Sequence, residues 1–159
     1  MRDAGDVARF KVPPVHKSLE VVWRPERAFD RFCQIGNWWP TATHSLGGAQ
    51  ADTRVAFERL EVGARLVERW RSGEVHVWGT ITKFERPAVL SFTWHVGRDE
   101  DAAQLVELTF RATDAGTMVE LVHSGWERLG EKAAELRDNY DNGWESVLER
   151  YANDAGAKS

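Results

Sequence analysis

The chain holds one cysteine, Cys33, in 159 residues, so an intramolecular disulfide framework is excluded. No apolar run approaches the roughly 20 residues that span a bilayer as a helix, and no membrane partner is expected. Basic residues form no run: 21 Lys and Arg stand against 25 Asp and Glu, for a net charge of −4. A nucleic-acid partner needs a basic footprint and is not expected. The five histidines, at positions 16, 44, 76, 95 and 123, lack the close spacing of metal ligands, and with a single cysteine neither a metal nor another cofactor is expected. Met1 to Phe10 mixes charged and small residues without the apolar segment of a secretory signal, which makes a cytoplasmic location the expectation.

Eight tryptophans are the positive signal. Large amphipathic rings serve cores, interfaces and ligand sites, so their positions must decide between these uses. At 18.1 kDa the chain fits one domain that buries roughly 70% of its unfolded surface. Residues 1–15, ending near Pro13-Pro14, read as an N-terminal arm, 16–151 as the domain, and 152–159 as a small polar disordered tail.

The first strand candidate is His16–Trp23. Arg24-Pro25-Glu26 then opens a helix with Ala28, Phe29, Phe32 and Cys33 on one face, ended by Gly36. Trp38-Trp39-Pro40 suggests a short second helix or turn. Thr41–Asp52, centred on Gly47-Gly48, reads as a loop free to move, and a gate to a cavity suits it better than a phosphate loop, whose Lys-Ser/Thr it lacks. Strand-like runs follow at Arg54–Leu60, Ala64–Trp70, Val75–Phe84, Val89–Val96, Leu105–Ala112 and Thr117–Ser124, separated by short turn sequences. Short connections imply an antiparallel meander. From Gly130 to Tyr151 the residues Ala133, Leu136, Tyr140, Trp144, Val147, Leu148 and Tyr151 fall three or four apart, the pattern of one long amphipathic helix closing over the sheet. The fold class is therefore α+β.

Strand parity indicates which side chains face that helix. Val119, Leu121 and His123 share a face, as do Leu90, Phe92, Trp94 and Val96, and Val106, Leu108 and Phe110. Leu66, Glu68 and Trp70 fall together by the same test, whereas Val75–Phe84 is ambiguous and a bulge could let both faces contribute. Trp78 and Trp126 are placed on the outer face, where exposed indoles would leave a homodimer open beside a monomer. Trp39, Phe57, Leu66, Glu68, Trp70, Phe92, Trp94, Leu108, His123, Tyr140 and Trp144 are the candidate ligand-binding set. Their rings form either a filled core or the wall of a cavity for a small hydrophobic molecule, with His123 or Glu68 orienting a polar atom of it. Gly143, inside the last helix, either allows close approach to the sheet or leaves room beside Trp144. Cys33, on an apolar helix face, is a structural thiol, and no residue is assigned a catalytic role.

Arg24-Pro25-Glu26-Arg27-Ala28-Phe29, Val62-Gly63-Ala64-Arg65-Leu66, Trp78-Gly79-Thr80-Ile81, Arg86-Pro87-Ala88-Val89-Leu90-Ser91-Phe92-Thr93-Trp94, His123-Ser124-Gly125-Trp126 and Asn142-Gly143-Trp144 occur in order and at telling spacing. Together they resemble the START-like, helix-grip SRPBCC superfamily, and within it the bacterial relatives of the C-terminal domain of the heat-shock-protein ATPase activator. The resemblance implies a curved antiparallel sheet of about seven strands around a long C-terminal helix, two short helices after the first strand, and a cavity between helix and sheet. It implies no shared catalytic residue. Besides hydrophobic ligand binding it leaves open a cyclase or hydrolase acting on an aromatic or polyketide-like substrate, with His123 as proton carrier, and a module that regulates a chaperone ATPase.

Overall fold

The computed structural model describes residues 12–157, and the side chains of residues 12–153. Strand β1 (Val15–Val21) leads into helix α1 (Pro25–Cys33). Pro25 occupies the first turn, Glu26 meets the positive helix end, and Ala28, Phe29, Phe32 and Cys33 are buried, so α1 forms where cap chemistry and an apolar face agree. A 3-10 turn (Ile35–Asn37) and a long loop carry the chain to β2 (Arg54–Phe57), β3 (Arg65–Arg69), β4 (Val75–Glu85), β5 (Val89–Trp94), β6 (Gln104–Ala112) and β7 (Thr117–Ser124). Helix α2 (Ala133–Ala157) closes the molecule.

All strand pairs are antiparallel, in the order β1-β7-β6-β5-β4-β3-β2. The first crossover takes the chain from one edge of the sheet to the other, and a meander then returns it to β1. The sheet curls as a half-barrel around α2. Two irregularities steepen the curl: register shifts at Leu66/Val67 between β3 and β4, and at Ile81/Lys83 between β4 and β5. Gly79 lies between them, where an added Cβ would collide with the Thr93 carbonyl, so only glycine permits this approach of β4 to β5.

The shifts account for the ambiguous parity of β4, and with it for one correction. Trp78 is fully buried, not on the outer face. Trp126 is buried as well: Gly125, at φ 92°, turns the chain so that the indole tucks beneath β7 and its Nε1 donates to the His123 carbonyl at 2.8 Å. Neither indole is available as an association surface. A 3-10 turn (Trp126–Lys132) holds Gly130 at φ 63°, outside helical geometry, so α2 starts at Ala133 rather than at Gly130. Helix α2 runs past Tyr151 to Ala157, which makes residues 152–157 helix rather than disordered tail. Residues 1–11 of the expected arm and residues 158–159 lie outside the described residues.

Below the middle of the half-barrel, α1 and the C-terminal half of α2 make a solid aromatic core. Phe32 meets Trp38 at 5.0 Å and Tyr151 at 5.4 Å between ring centroids, and Phe29 meets Phe84 and Phe110, each at 5.2 Å. Rings of this size bury about 150–250 Å² each, on the order of 4–6 kcal/mol of transfer free energy apiece before entropy is counted. The Tyr151 hydroxyl donates to the Ala28 carbonyl at 2.7 Å, which joins the two helices.

Candidate functional site

Above that core lies a cavity of about 260 Å³. The sheet supplies Trp78, Trp94 and Val96; α2 supplies Tyr140, Gly143, Trp144 and Val147; Trp39 and the segment Thr43–Leu46 come from the loop after α1. Gly143 has nothing within 4 Å of where a Cβ would stand. Its missing side chain is part of the hollow, so of the two roles expected for it the room beside Trp144 is the one the geometry supports.

Three of the four lining indoles are fixed through their N–H groups. Trp39 Nε1 donates to the His44 carbonyl at 2.7 Å, Trp78 Nε1 to Glu68 Oε1 at 2.9 Å, and Trp144 Nε1 to His123 Nδ1 at 2.9 Å. The wall is thus built by polar groups that lie behind it.

Glu68 is the most heavily used of these groups. Wholly buried on β3, its carboxyl accepts four N–H bonds: Leu46 N at 2.9 Å and Trp78 Nε1 at 2.9 Å on Oε1, Gly47 N at 2.7 Å and Trp70 Nε1 at 2.6 Å on Oε2. Burial alone would push its pKa up, but the four donors outweigh burial and hold the carboxyl below its usual value. The loop expected to move freely is therefore fastened at its centre to a buried carboxylate. Gly47 is required there, since a Cβ would stand 2.5 Å from Trp70 Nε1 and 2.6 Å from Ala51 Cβ.

His123 faces inward as parity predicts, yet it stops short of the cavity. Because Trp144 donates to Nδ1, the ring proton sits on Nε2, which faces Gln104 Oε1 at 3.2 Å, and Gln104 Nε2 in turn donates to the Ala102 carbonyl at 2.7 Å. Burial pushes the His123 pKa down to about 3. A neutral imidazole with both nitrogens engaged positions Trp144 and has no free nitrogen with which to carry a proton for a ligand. Cys33 is buried, and burial, reinforced by Asp30, raises its thiol to about 12, so it stays protonated.

Of the expected ligand-binding set, Trp39, Trp94, Tyr140 and Trp144 line the hollow. Glu68, Trp70 and His123 sit one layer back and hold the lining in place. Leu66, Phe92 and Leu108 are buried in the core, and Phe57 packs against Phe92 at 5.5 Å. Trp78, Val96, Val147 and the Thr43–Leu46 segment are lining residues that parity and periodicity did not select. Val147 lies on the apolar stripe of α2 and Trp78 in the ambiguous strand; the loop segment carries no signal in its own sequence. A larger depression of about 1010 Å³, lined partly by Trp70, His76 and Arg98, is open to solvent and would bury little of a small ligand. Among the described residues no group of His, Cys, Asp or Glu is arranged to hold a metal ion, and no helix is long and apolar enough to cross a membrane.

A curled antiparallel sheet gripping a C-terminal helix, with an aromatic hollow between them, defines the helix-grip class of the SRPBCC type. Within that class the chain belongs to the family of Activator of Hsp90 ATPase homolog 1-like proteins, whose sequence profile matches residues 18–153. None of the curated proteins compared matches it. Among solved structures, a protein of Mesorhizobium loti is similar with a TM-score of 0.63 and 19% identity over 88% of this chain and 94% of its own. An AHSA1-like protein of Aeromonas hydrophila matches with a TM-score of 0.63 and 19% identity over 91% and 93%. These two likenesses concern the fold alone. Txn09, described as an anthrahydroquino-γ-pyrone synthase and solved in complex with a compound designated SUM, is 27% identical with a TM-score of 0.55 over 91% of this chain and 97% of its own.

Proposed function

We propose that this domain binds one small, flat, hydrophobic or amphipathic molecule in the cavity between α2, the sheet and the Thr43–Leu46 segment. The observation that carries the reading is the 260 Å³ hollow itself, walled by four indoles and Tyr140 and kept open by Gly143. A volume just under the roughly 300–1,000 Å³ of drug-sized sites suits a molecule of two or three fused rings, held mainly by burial. Txn09, a relative of the same fold named as a synthase and solved with a bound compound, supports a ligand site in this class of domain. Turnover by the present chain would have to use groups other than His123, whose two ring nitrogens are already engaged.

Calorimetric titration with tetralin, a two-ring hydrocarbon, tests the reading. Saturable uptake of one equivalent is expected, weakened at least about tenfold in Gly143→Leu, whose side chain would fill the hollow while improving helix propensity. No saturable uptake by the native protein, or uptake indifferent to Gly143→Leu in a folded variant, overturns it.

A further inference from the structure

The polar capacity left in the cavity is strongly one-sided. Three lining indoles already have acceptors for their N–H groups, whereas Trp94, only 3% exposed, has none: its Nε1 is buried without a hydrogen-bond partner. Buried donors are nearly always paired, and a native exception calls for an explanation. Tyr140 stands beside it, ring to ring at 6.1 Å and nearly perpendicular at 86°. Burial raises the Tyr140 phenol, while the Trp94 N–H and the charge of Arg98 pull it the other way, which puts the hydroxyl on the donor side of the Trp94 ring and within the field of a cation.

The acceptors nearby are already spoken for. Both Glu68 oxygens are filled by four N–H groups, and the Ser45 hydroxyl is engaged with the Thr41 carbonyl and the Gly48 amide. The Thr43 hydroxyl pairs with His44 Nδ1 at 2.8 Å. An amine or a cation brought to this end would meet donors and a positive field. A carboxylate would lose its hydration in a mainly apolar space. A neutral carbonyl oxygen offers two lone pairs and no charge.

We propose that the cavity selects flat ligands bearing a neutral carbonyl, an aryl ketone being the simplest, whose oxygen accepts from Trp94 Nε1 and from the Tyr140 hydroxyl. This inference rests on the cavity being a ligand site and adds the chemistry of what occupies it. Such a ligand supplies the acceptor that Trp94 lacks, while its rings lie against the indoles of Trp39 and Trp144.

The probes are 1-tetralone and tetralin, which share a two-ring frame and differ by one carbonyl, each titrated calorimetrically. One well-placed hydrogen bond in a dry site predicts tetralone binding about tenfold tighter than tetralin. In Trp94→Phe the ratio of the two affinities should collapse toward one, whatever their absolute values become. In Tyr140→Phe it should fall about threefold, since the indole donor remains. Tetralin uptake without preference for tetralone in the native protein overturns this inference alone, as does a preference that survives Trp94→Phe. If Trp94→Phe does not fold, a ratio unchanged in Tyr140→Phe overturns the assignment of the hydroxyl, and equal affinities in the native protein still overturn the whole. Uptake of neither probe overturns the cavity reading beneath it.

Discussion

The two ends of the half-barrel are built from the same kind of residue and differ in whether space is left between them. At the closed end Phe29, Phe32, Trp38, Phe110 and Tyr151 fill the volume between α1, α2 and the sheet, with Phe32 and Tyr151 5.4 Å apart. At the open end Trp39, Trp78, Trp94 and Trp144 also touch in pairs at 5.3–6.0 Å, yet enclose a hollow. Two differences produce it. Along the same face of α2, Tyr151 fills its place and Gly143 leaves its own empty. A helix covers the closed end, whereas a loop without regular secondary structure covers the other and needs a device of its own to stay in place. Aromatic content by itself therefore does not signal a pocket; a missing side chain on the lid and a tethered cover do.

Breaking the tether should have the largest effect. Glu68→Gln keeps the shape but exchanges one acceptor oxygen for an NH2 group, which would face two of the four N–H donors. Each buried donor left unmatched costs about 1–3 kcal/mol, so a loss of about 3 kcal/mol or more of stability is expected in urea or thermal unfolding. The damage should be local: hydrogen exchange at the Leu46 and Gly47 amides should accelerate, while the Ala28 amide, bonded to the Arg24 carbonyl at the closed end, keeps its protection. Amides at 46 and 47 that stay protected in the variant would show that the loop holds itself, and the contrast between the two ends would lose its cause.

A smaller effect separates the two buried titratable groups behind the wall. His123 has a folded pKa pushed from 6.5 to about 3 by burial, so between these values the unfolded chain is protonated there and the native protein is not. Stability from this group is full above pH 6.5 and declines as the pH falls toward 3, at up to about 1.4 kcal/mol per pH unit. Glu68, whose carboxyl is held below 4.5, also stabilises only above that value, and its contribution is lost at lower pH. The window from pH 6.5 to 4.5 therefore reports on His123 without Glu68. Across it the native protein should lose about 2 kcal/mol more than His123→Gln, which retains an acceptor for Trp144 and has no titrating ring. Parallel stability curves for the two proteins over that window would mean that the imidazole is not held neutral by burial.

How legible each region was in the sequence follows from how far its determinants lie along the chain. Strands β5 to β7 keep strict alternation, and Leu90, Phe92, Trp94, Val106, Leu108, Val119, Leu121 and His123 are buried as their parity requires. The pattern failed where the backbone leaves the regular pleat: the shifts at Leu66/Val67 and Ile81/Lys83 bring Trp78 inward, and the left-handed Gly125 folds Trp126 under β7. The cover failed for another reason. Thr, Ser, Gly and Ala between Thr41 and Asp52 describe a segment with little to bury, and nothing local reveals that its acceptor is a glutamate more than twenty residues downstream. Glu68 itself was visible as an inward-facing carboxylate. Its role was not, because four neutral N–H groups serve it in place of the cation that sequence reasoning looks for.

The finest test of the comparison is to move the open end one methyl group toward the closed one. Gly143→Ala should stabilise α2 by up to about 1 kcal/mol, for the backbone entropy that glycine loses in a helix, and raise Tm by about 2–4 °C. Nothing within 4 Å opposes the new Cβ, so strain should not offset this gain. The same methyl projects into a hollow of about 260 Å³ and occupies part of the space beside Trp144. Stability and tetralin affinity are therefore expected to move in opposite directions, a higher Tm with binding a fewfold weaker, since one displaced methylene contact is worth about 0.8 kcal/mol. At the closed end a change that improves packing has no such counterpart, because no ligand space is lost. Were Gly143→Ala to raise Tm and leave tetralin affinity unchanged, the residue would be a tolerated flaw in a helix, and the hollow would owe nothing to it.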